Sequence, residues 1–170
     1  GATNASRVLG KKWGLIILGL DIAKGAEAAG LVPLILRTWL RTDGTWMLGG
    51  FSAVALCMGL AAFLGHCFSP FLLFKGGKGV ATALGVYLVV APLALLLTAV
   101  VCIILIAVTR VVSIASITGA VLLPAGIVIF YREREGFWFV LALTIVLGAL
   151  VIWRHRSNIR RLVKGAENKA

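Results

Sequence analysis

Five long apolar blocks dominate the chain, over residues 14–36, 45–64, 80–109, 111–130 and 137–153. Four of them approach the ~20 residues that one helical crossing of a bilayer needs. The third is too long for one crossing and contains Ala91-Pro92. Proline cannot donate its own helix hydrogen bond and disfavours helix at the residue before it. This block therefore predicts a tight hairpin of two short or tilted helices, against the alternative of one kinked helix. The expected fold is all-α: a polytopic membrane helix bundle with six transmembrane helices in a single domain, 1–170. Small-residue pairs such as Ala26/Gly30 and Ala55/Gly59 allow close helix contact.

Composition fixes the solvent. The chain is 61% hydrophobic, with a mean hydropathy of +1.04. A soluble domain of this size leaves too much surface exposed to hide so many apolar groups. Lipid must cover most of it. The formal net charge is +11 with only six carboxylates. A basic excess suits nucleic acid or anionic headgroups. Hydropathy decides for the membrane, and no nucleic acid is expected as a partner.

The distribution of charge tests the hairpin. With it, Arg7, Lys11, Lys12, Lys75, Lys78, Arg110, Arg154, Arg156, Arg160, Arg161, Lys164 and Lys169 share one side. Arg37, Arg41, Arg132 and Arg134 fall on the other, offset by Asp43, Glu133 and Glu135. A single kinked helix would invert the bias. The positive-inside tendency favours the hairpin and makes the first side cytoplasmic. Cys57, Cys67 and Cys102 show no CxxC spacing and are read as small packing residues. No removable signal peptide opens the chain. It starts on Gly1-Ala2-Thr3-Asn4 without methionine, so a preceding helix is expected to have been removed.

Polar residues collect in three places on the inferred cytoplasmic face. The first is Gly1-Ala2-Thr3-Asn4-Ala5-Ser6-Arg7, where Arg7 is placed either to clamp a phosphate or to snorkel. The second is Phe74-Lys75-Gly76-Gly77-Lys78-Gly79-Val80-Ala81-Thr82. Glycines let main chain curl and expose successive N–H groups to an anion, and lysines add point charge. A helix beginning near Val80 would add its positive end. The string is not a Walker A motif, because Gly79 follows Lys78 where Ser or Thr is required. The third place is split between Ser113-Ile114-Ala115-Ser116 and Arg154-His155-Arg156-Ser157-Asn158. His155 and Asn158 share a helix face and suit a polyol hydroxyl or a phosphate. His66 is expected to meet the free carbonyls at a helix end. Asp21, Lys24 and Glu27 interrupt the first block at helical spacing and are expected to pair.

In this order the motifs resemble the bacterial acyl-phosphate-dependent glycerol-3-phosphate acyltransferases, the PlsY-type membrane enzymes. The resemblance rests on Gly1-Ala2-Thr3-Asn4 with Arg7, Leu20-Asp21 with Lys24-Gly25, Gly65-His66, the lysine-glycine string, Ser113-Ile114-Ala115-Ser116, and Arg154-His155 with Asn158-Ile159. It implies seven transmembrane helices, six here and one before Gly1, in the bacterial inner membrane with the site facing the cytoplasm. Members usually carry Ser-Gly-Asn just before Gly-Ala-Thr-Asn; that segment is absent here. Pro70, preceded by Ser69, is displaced from the family's position.

The resemblance implies transfer of a fatty acyl group from acyl phosphate to the 1-hydroxyl of sn-glycerol-3-phosphate, giving lysophosphatidic acid and phosphate. It makes Lys78, Ser113, His155 and Asn158 catalytic. Thr3, Asn4, Arg7, Lys75, Gly76, Gly77, Gly79, Thr82, Ser116 and Arg154 would bind substrate. No metal or other cofactor is expected. The competing reading is a small anion or phosphoester transporter using the same basic loops and the Asp21/Lys24/Glu27 set.

Overall fold

Glycine and proline cut the apolar blocks where hydrogen bonding fails. A computed structural model describes residues 1–40, 47–48 and 51–168. Arg41, Asp43, Lys169 and part of the second apolar block lie outside the described residues, as does the side chain of Arg37. The described residues are mainly helical, with one two-residue ladder in which β1 (Met47–Leu48) pairs antiparallel with β2 (Phe51–Ser52).

The first unit, Gly1–Val90, holds α1 (Ala2–Leu9), α2 (Lys11–Ala29), α3 (Leu31–Leu40), α4 (Ala53–Cys67) and α5 (Val80–Val90). The first apolar block, expected as one crossing, breaks at Gly30. Pro33 has no N–H for the Ala29 carbonyl, so helix restarts at Leu31 with proline in its first turn. Of the second block, the described residues from Ala53 onward form helix.

In lipid, apolar side chains gain little by leaving the solvent, so helices associate through close packing. Here α2 and α5 meet main chain to main chain. A Cβ on Gly25 would collide with the Thr82 carbonyl, and one on Gly85 with the Ile22 carbonyl. The expected small-residue contacts also fall on α5. Gly59 faces Val86, Gly30 faces Val89, and Ala55 is buried in a cluster with Ala29 and Val86.

The second unit, Ala91–Ala170, holds α6 (Pro92–Thr109), α7 (Val112–Tyr131), α8 (Phe137–Arg154) and α9 (Arg156–Val163). The third apolar block divides where expected, with Ala91 leaving helical geometry at φ −147° and ψ 66° before Pro92. Arg110 (φ 58°) and extended Val111 connect α6 to α7, and so short a link makes them packed neighbours. Cys102 donates to the Ala115 carbonyl (3.2 Å) across that contact, and Gly126 lies against Ala94. Gly148 of α8 packs on the Ala120 carbonyl of α7.

Among the described residues, four stretches are long and apolar enough to cross a membrane: Val54–Leu72, Pro92–Thr109, Val112–Tyr131 and Phe137–Arg154. α5 is a shorter apolar helix. α2 is not among the four, because Lys11, Lys12, Asp21, Lys24 and Glu27 interrupt it.

Candidate functional site

Candidate residues occur in both units, and each unit builds its own constellation. In the first, the lysine-glycine string leaves α4 through a 3-10 turn, Pro70–Leu72, and two left-handed residues, Leu73 (φ 49°) and Phe74 (φ 62°). Phe74 N–H donates to Ser69 O (2.9 Å) and Lys75 N–H to Leu72 O (2.9 Å). The chain then turns back onto the last turn of α4 and enters α5 at Val80.

The close return explains the glycines more directly than main-chain freedom alone. A Cβ on Gly76 would strike the His66 carbonyl, and one on Gly77 the His66 ring. One on Gly79 would strike the Phe63 ring, and Gly79 also needs φ +81°. Gly77 N–H donates to His66 O at 3.1 Å, so this N–H anchors the loop to α4. Ala83 N–H donates to Gly79 O (2.8 Å), which sets the loop at the N-terminal end of α5. Lys78 is half-buried and Lys75 exposed. Thr82 is fully buried, and its Oγ1 has no hydrogen-bond partner among the described residues.

The N-terminal motif forms α1, which places Thr3, Asn4 and Arg7 at helical spacing on an exposed face. A Cβ on Gly1 would lie 4.0 Å from the Cα of Gly77, so the start of α1 lies beside the loop. The ring of His66, expected to meet helix-end carbonyls, lies against Lys24 and Asp21. The expected Asp21–Lys24 pair is present at 2.5 Å, while Glu27 is exposed.

In the second unit, His155 stands between α8 and α9 and is 2% exposed. Its Nδ1 lies 2.8 Å from the Val151 carbonyl, which only accepts. Nδ1 therefore carries a proton. Ser113 and Asn158 are buried and converge on one carboxylate. Ser113 Oγ donates to Glu167 Oε1 (2.9 Å), Asn158 Nδ2 to the same oxygen (2.5 Å), and Arg161 Nε to Oε2 (2.6 Å). Ser116 donates to its own helix at Val112 O (3.0 Å), and Arg154 is half-buried at the end of α8.

Sequence reasoning missed Glu167 and Arg161. Glu167 arrives through the end of α9. Gly165 takes φ +65°, its N–H donates to Leu162 O (3.0 Å), and Ala166 N–H donates to Arg161 O (2.8 Å). These two bonds form a Schellman motif, which turns the chain back on its helix. Burial by itself raises the Glu167 pKa. Hydrogen bonds from Arg161, Asn158 and Ser113 outweigh it and lower the carboxyl to about 2. The side chain is 5% exposed and rims a pocket shared with Val111, Leu162 and Gly165. No group of three or more His, Cys, Asp or Glu suited to a metal occurs among the described residues.

Comparison with known proteins gives the family. Residues 1–165 match the family model described as "Glycerol-3-phosphate acyltransferase". The chain is 46% identical over 169 residues to the glycerol-3-phosphate acyltransferase of Trichlorobacter lovleyi, covering 99% of this chain and 78% of that protein. The Fusobacterium nucleatum enzyme of the same name is 41% identical over 172 residues, with the same coverage. The fold matches the crystal structure of PlsY (YgiH), an integral membrane glycerol 3-phosphate acyltransferase, in its glycerol 3-phosphate form. The TM-score is 0.78 at 39% identity, over 100% of this chain and 77% of that one. The lysophosphatidic acid form gives 0.76 at 39% identity, over 99% and 78%. The chain belongs to the glycerol-3-phosphate acyltransferase family, a solved member of which is an integral membrane protein.

Proposed function

We propose that this protein transfers a fatty acyl group from an acyl phosphate to the 1-hydroxyl of sn-glycerol-3-phosphate, forming lysophosphatidic acid and inorganic phosphate. The observation that carries the reading is the Gly76–Gly79 loop, held against α4 at the N-terminal end of α5 with Lys78 within it. Main-chain N–H groups and the positive helix end suit the phosphate of the donor. The homologous structures, in glycerol 3-phosphate and lysophosphatidic acid forms, support the acceptor and product.

The hydroxyl oxygen attacks the carbonyl carbon of the mixed anhydride. A new C–O ester bond forms, the C–O bond to phosphate breaks, and phosphate leaves with the electron pair. The hydroxyl proton passes to a substrate phosphate, so no dedicated protein base is needed. Positioning and charge stabilisation supply the acceleration.

On the strength of the sequence resemblance, Gly76, Gly77 and Gly79 seat the acyl phosphate. Arg7, Lys78, Ser113, His155 and Asn158 bind glycerol-3-phosphate, and Thr3, Asn4, Lys75, Thr82, Ser116 and Arg154 are further substrate-binding residues. This assignment fits the hydrogen bonding within the second unit. Ser113 has one O–H and gives it to Glu167, so its oxygen suits a hydroxyl donor.

The same reading places the protein in the bacterial inner membrane, with six crossings in this chain and the site facing the cytoplasm. Purified full-length protein in liposomes, given palmitoyl phosphate and glycerol-3-phosphate, should release phosphate and lysophosphatidic acid in equal amounts. Acyl-CoA and acyl carrier protein donors serve as comparisons. Transfer from acyl-CoA at the same rate would remove the acyl-phosphate assignment. Flux of glycerol-3-phosphate across liposomes without conversion would replace the enzyme by a transporter.

A further inference from the structure

Asp21, Lys24 and His66 carry no role in the proposed reaction, yet they form a compact charged cluster in an apolar protein. Such groups are expensive at membrane depth and persist where they are paired and useful. Asp21 and Lys24 stand one turn apart on α2, and His66 is in the last turn of α4. Lys24 Nζ lies 2.5 Å from Asp21 Oδ1 and 2.6 Å from His66 Nδ1. The direct His66 Nδ1 to Asp21 Oδ1 distance is longer, 3.3 Å.

These distances fix the histidine tautomer. An ammonium group only donates, so His66 Nδ1 accepts from Lys24 and carries no proton. The ring proton is then on Nε2. Nε2 is the atom that faces the glycine loop: it is the nearest atom to the position a Cβ on Gly77 would take, ahead of Cε1 at 2.7 Å. The main chain of the same residue holds Gly77 as well, through Gly77 N–H to His66 O at 3.1 Å. His66 thus touches the loop twice, by its carbonyl and by the edge of its ring.

We propose that Asp21, Lys24 and His66 form a relay that locks His66 as the Nε2–H tautomer and thereby sets the position of the Gly76–Gly79 loop. His66 is a positioning residue. Asp21 orients Lys24, Lys24 orients the ring, and the ring with its carbonyl sets where the loop N–H groups point. The inference rests on the reading of this loop as the seat of the acyl phosphate.

The chain has two histidines, so a 15N imidazole spectrum of the protein in micelles contains two ring systems, and His66→Gln assigns them. The expected result is Nε2–H at His66 and Nδ1–H at His155. Lys24→Met should move His66 off the Nε2–H form and leave His155 unchanged. It should also weaken binding of inorganic phosphate about tenfold, the scale of one lost buried hydrogen bond. The KM for palmitoyl phosphate should rise by a similar factor, with the KM for glycerol-3-phosphate unchanged. His66→Gln keeps an N–H near the Nε2 position and should recover most of the phosphate affinity that His66→Ala loses.

An Nδ1–H ring at His66 in the unaltered protein overturns the relay outright, and this measurement needs no variant. A folded Lys24→Met protein with unchanged tautomer and unchanged phosphate affinity overturns it too. A protein that binds phosphate in a Lys24-dependent way but transfers no acyl group would sink the proposed reaction and leave the relay standing. Acyl transfer with an unaltered KM for palmitoyl phosphate in Lys24→Met would sink the relay alone.

Discussion

Asn158 Nδ2 donates to Glu167 Oε1 at 2.5 Å, joining a helix residue of the candidate site to a carboxylate beyond the turn that ends its helix. Ser113 Oγ donates to the same oxygen from α7. One carboxylate thus sets the orientation of two residues assigned to glycerol-3-phosphate. Glu167→Gln removes the charge and offers an N–H where Ser113, Asn158 or Arg161 needs an acceptor. Loss of buried hydrogen bonds of this kind costs about 1–3 kcal/mol. The variant should melt at lower temperature in micelles and lose transfer activity; an unchanged melting temperature would contradict the assigned packing.

Glu167 also gives the protein an acid limit. Its pKa falls from 4.5 to about 2. A carboxyl with a depressed folded-state pKa stabilises the fold fully above its unfolded value and loses that contribution as pH falls through the folded one. Its share of stability is therefore complete above about pH 4.5 and disappears toward pH 2. Thermal unfolding measured across this window should show a fall in stability that is smaller in Glu167→Gln.

Gly77→Ala should disable the loop. The new Cβ would collide with the His66 ring, and the chain would have to move away from α4. A misplacement of about 1 Å is enough to cost about a hundredfold in rate. Gly65→Ala is the matched control, since nothing lies within 4 Å of a Cβ there. Phosphate release by the two variants, measured side by side, should differ by about that factor.

Lys78→Met should reduce transfer by about a hundredfold or more, the scale of losing one charge that stabilises the transition state. The side chain is only half-buried, so helicity and melting temperature should stay close to those of the unaltered protein. Unchanged turnover in reconstituted membranes would remove its assigned role.

The helices were legible because apolar runs and prolines act locally. Ala91-Pro92 announced a break, and helix stops there. The lysine-glycine string was legible as special, but its reason was only half visible. The glycines make room for Phe63, His66 and Cys67, and that contact depends on the return of the chain. The break at Gly30 follows from Pro33, which hydropathy alone does not register. The partner of His66 was not readable, since Lys24 is 42 positions away. Glu167 has a sequence signal: it is the sole carboxylate after Glu135, and Lys164-Gly165 is a common way to end a helix and reverse the chain.

The crossing of α2 and α5 at Gly25 and Gly85 has a mechanical consequence. With backbone resting on backbone, no cushion of side chains exists to absorb a displacement. The head of α5, which the Gly76–Gly79 loop enters, and the segment of α2 bearing Asp21 and Lys24 are in main-chain contact. A larger residue at Gly25 or Gly85 would therefore have to force the two helices apart, and with them the loop from its charged support.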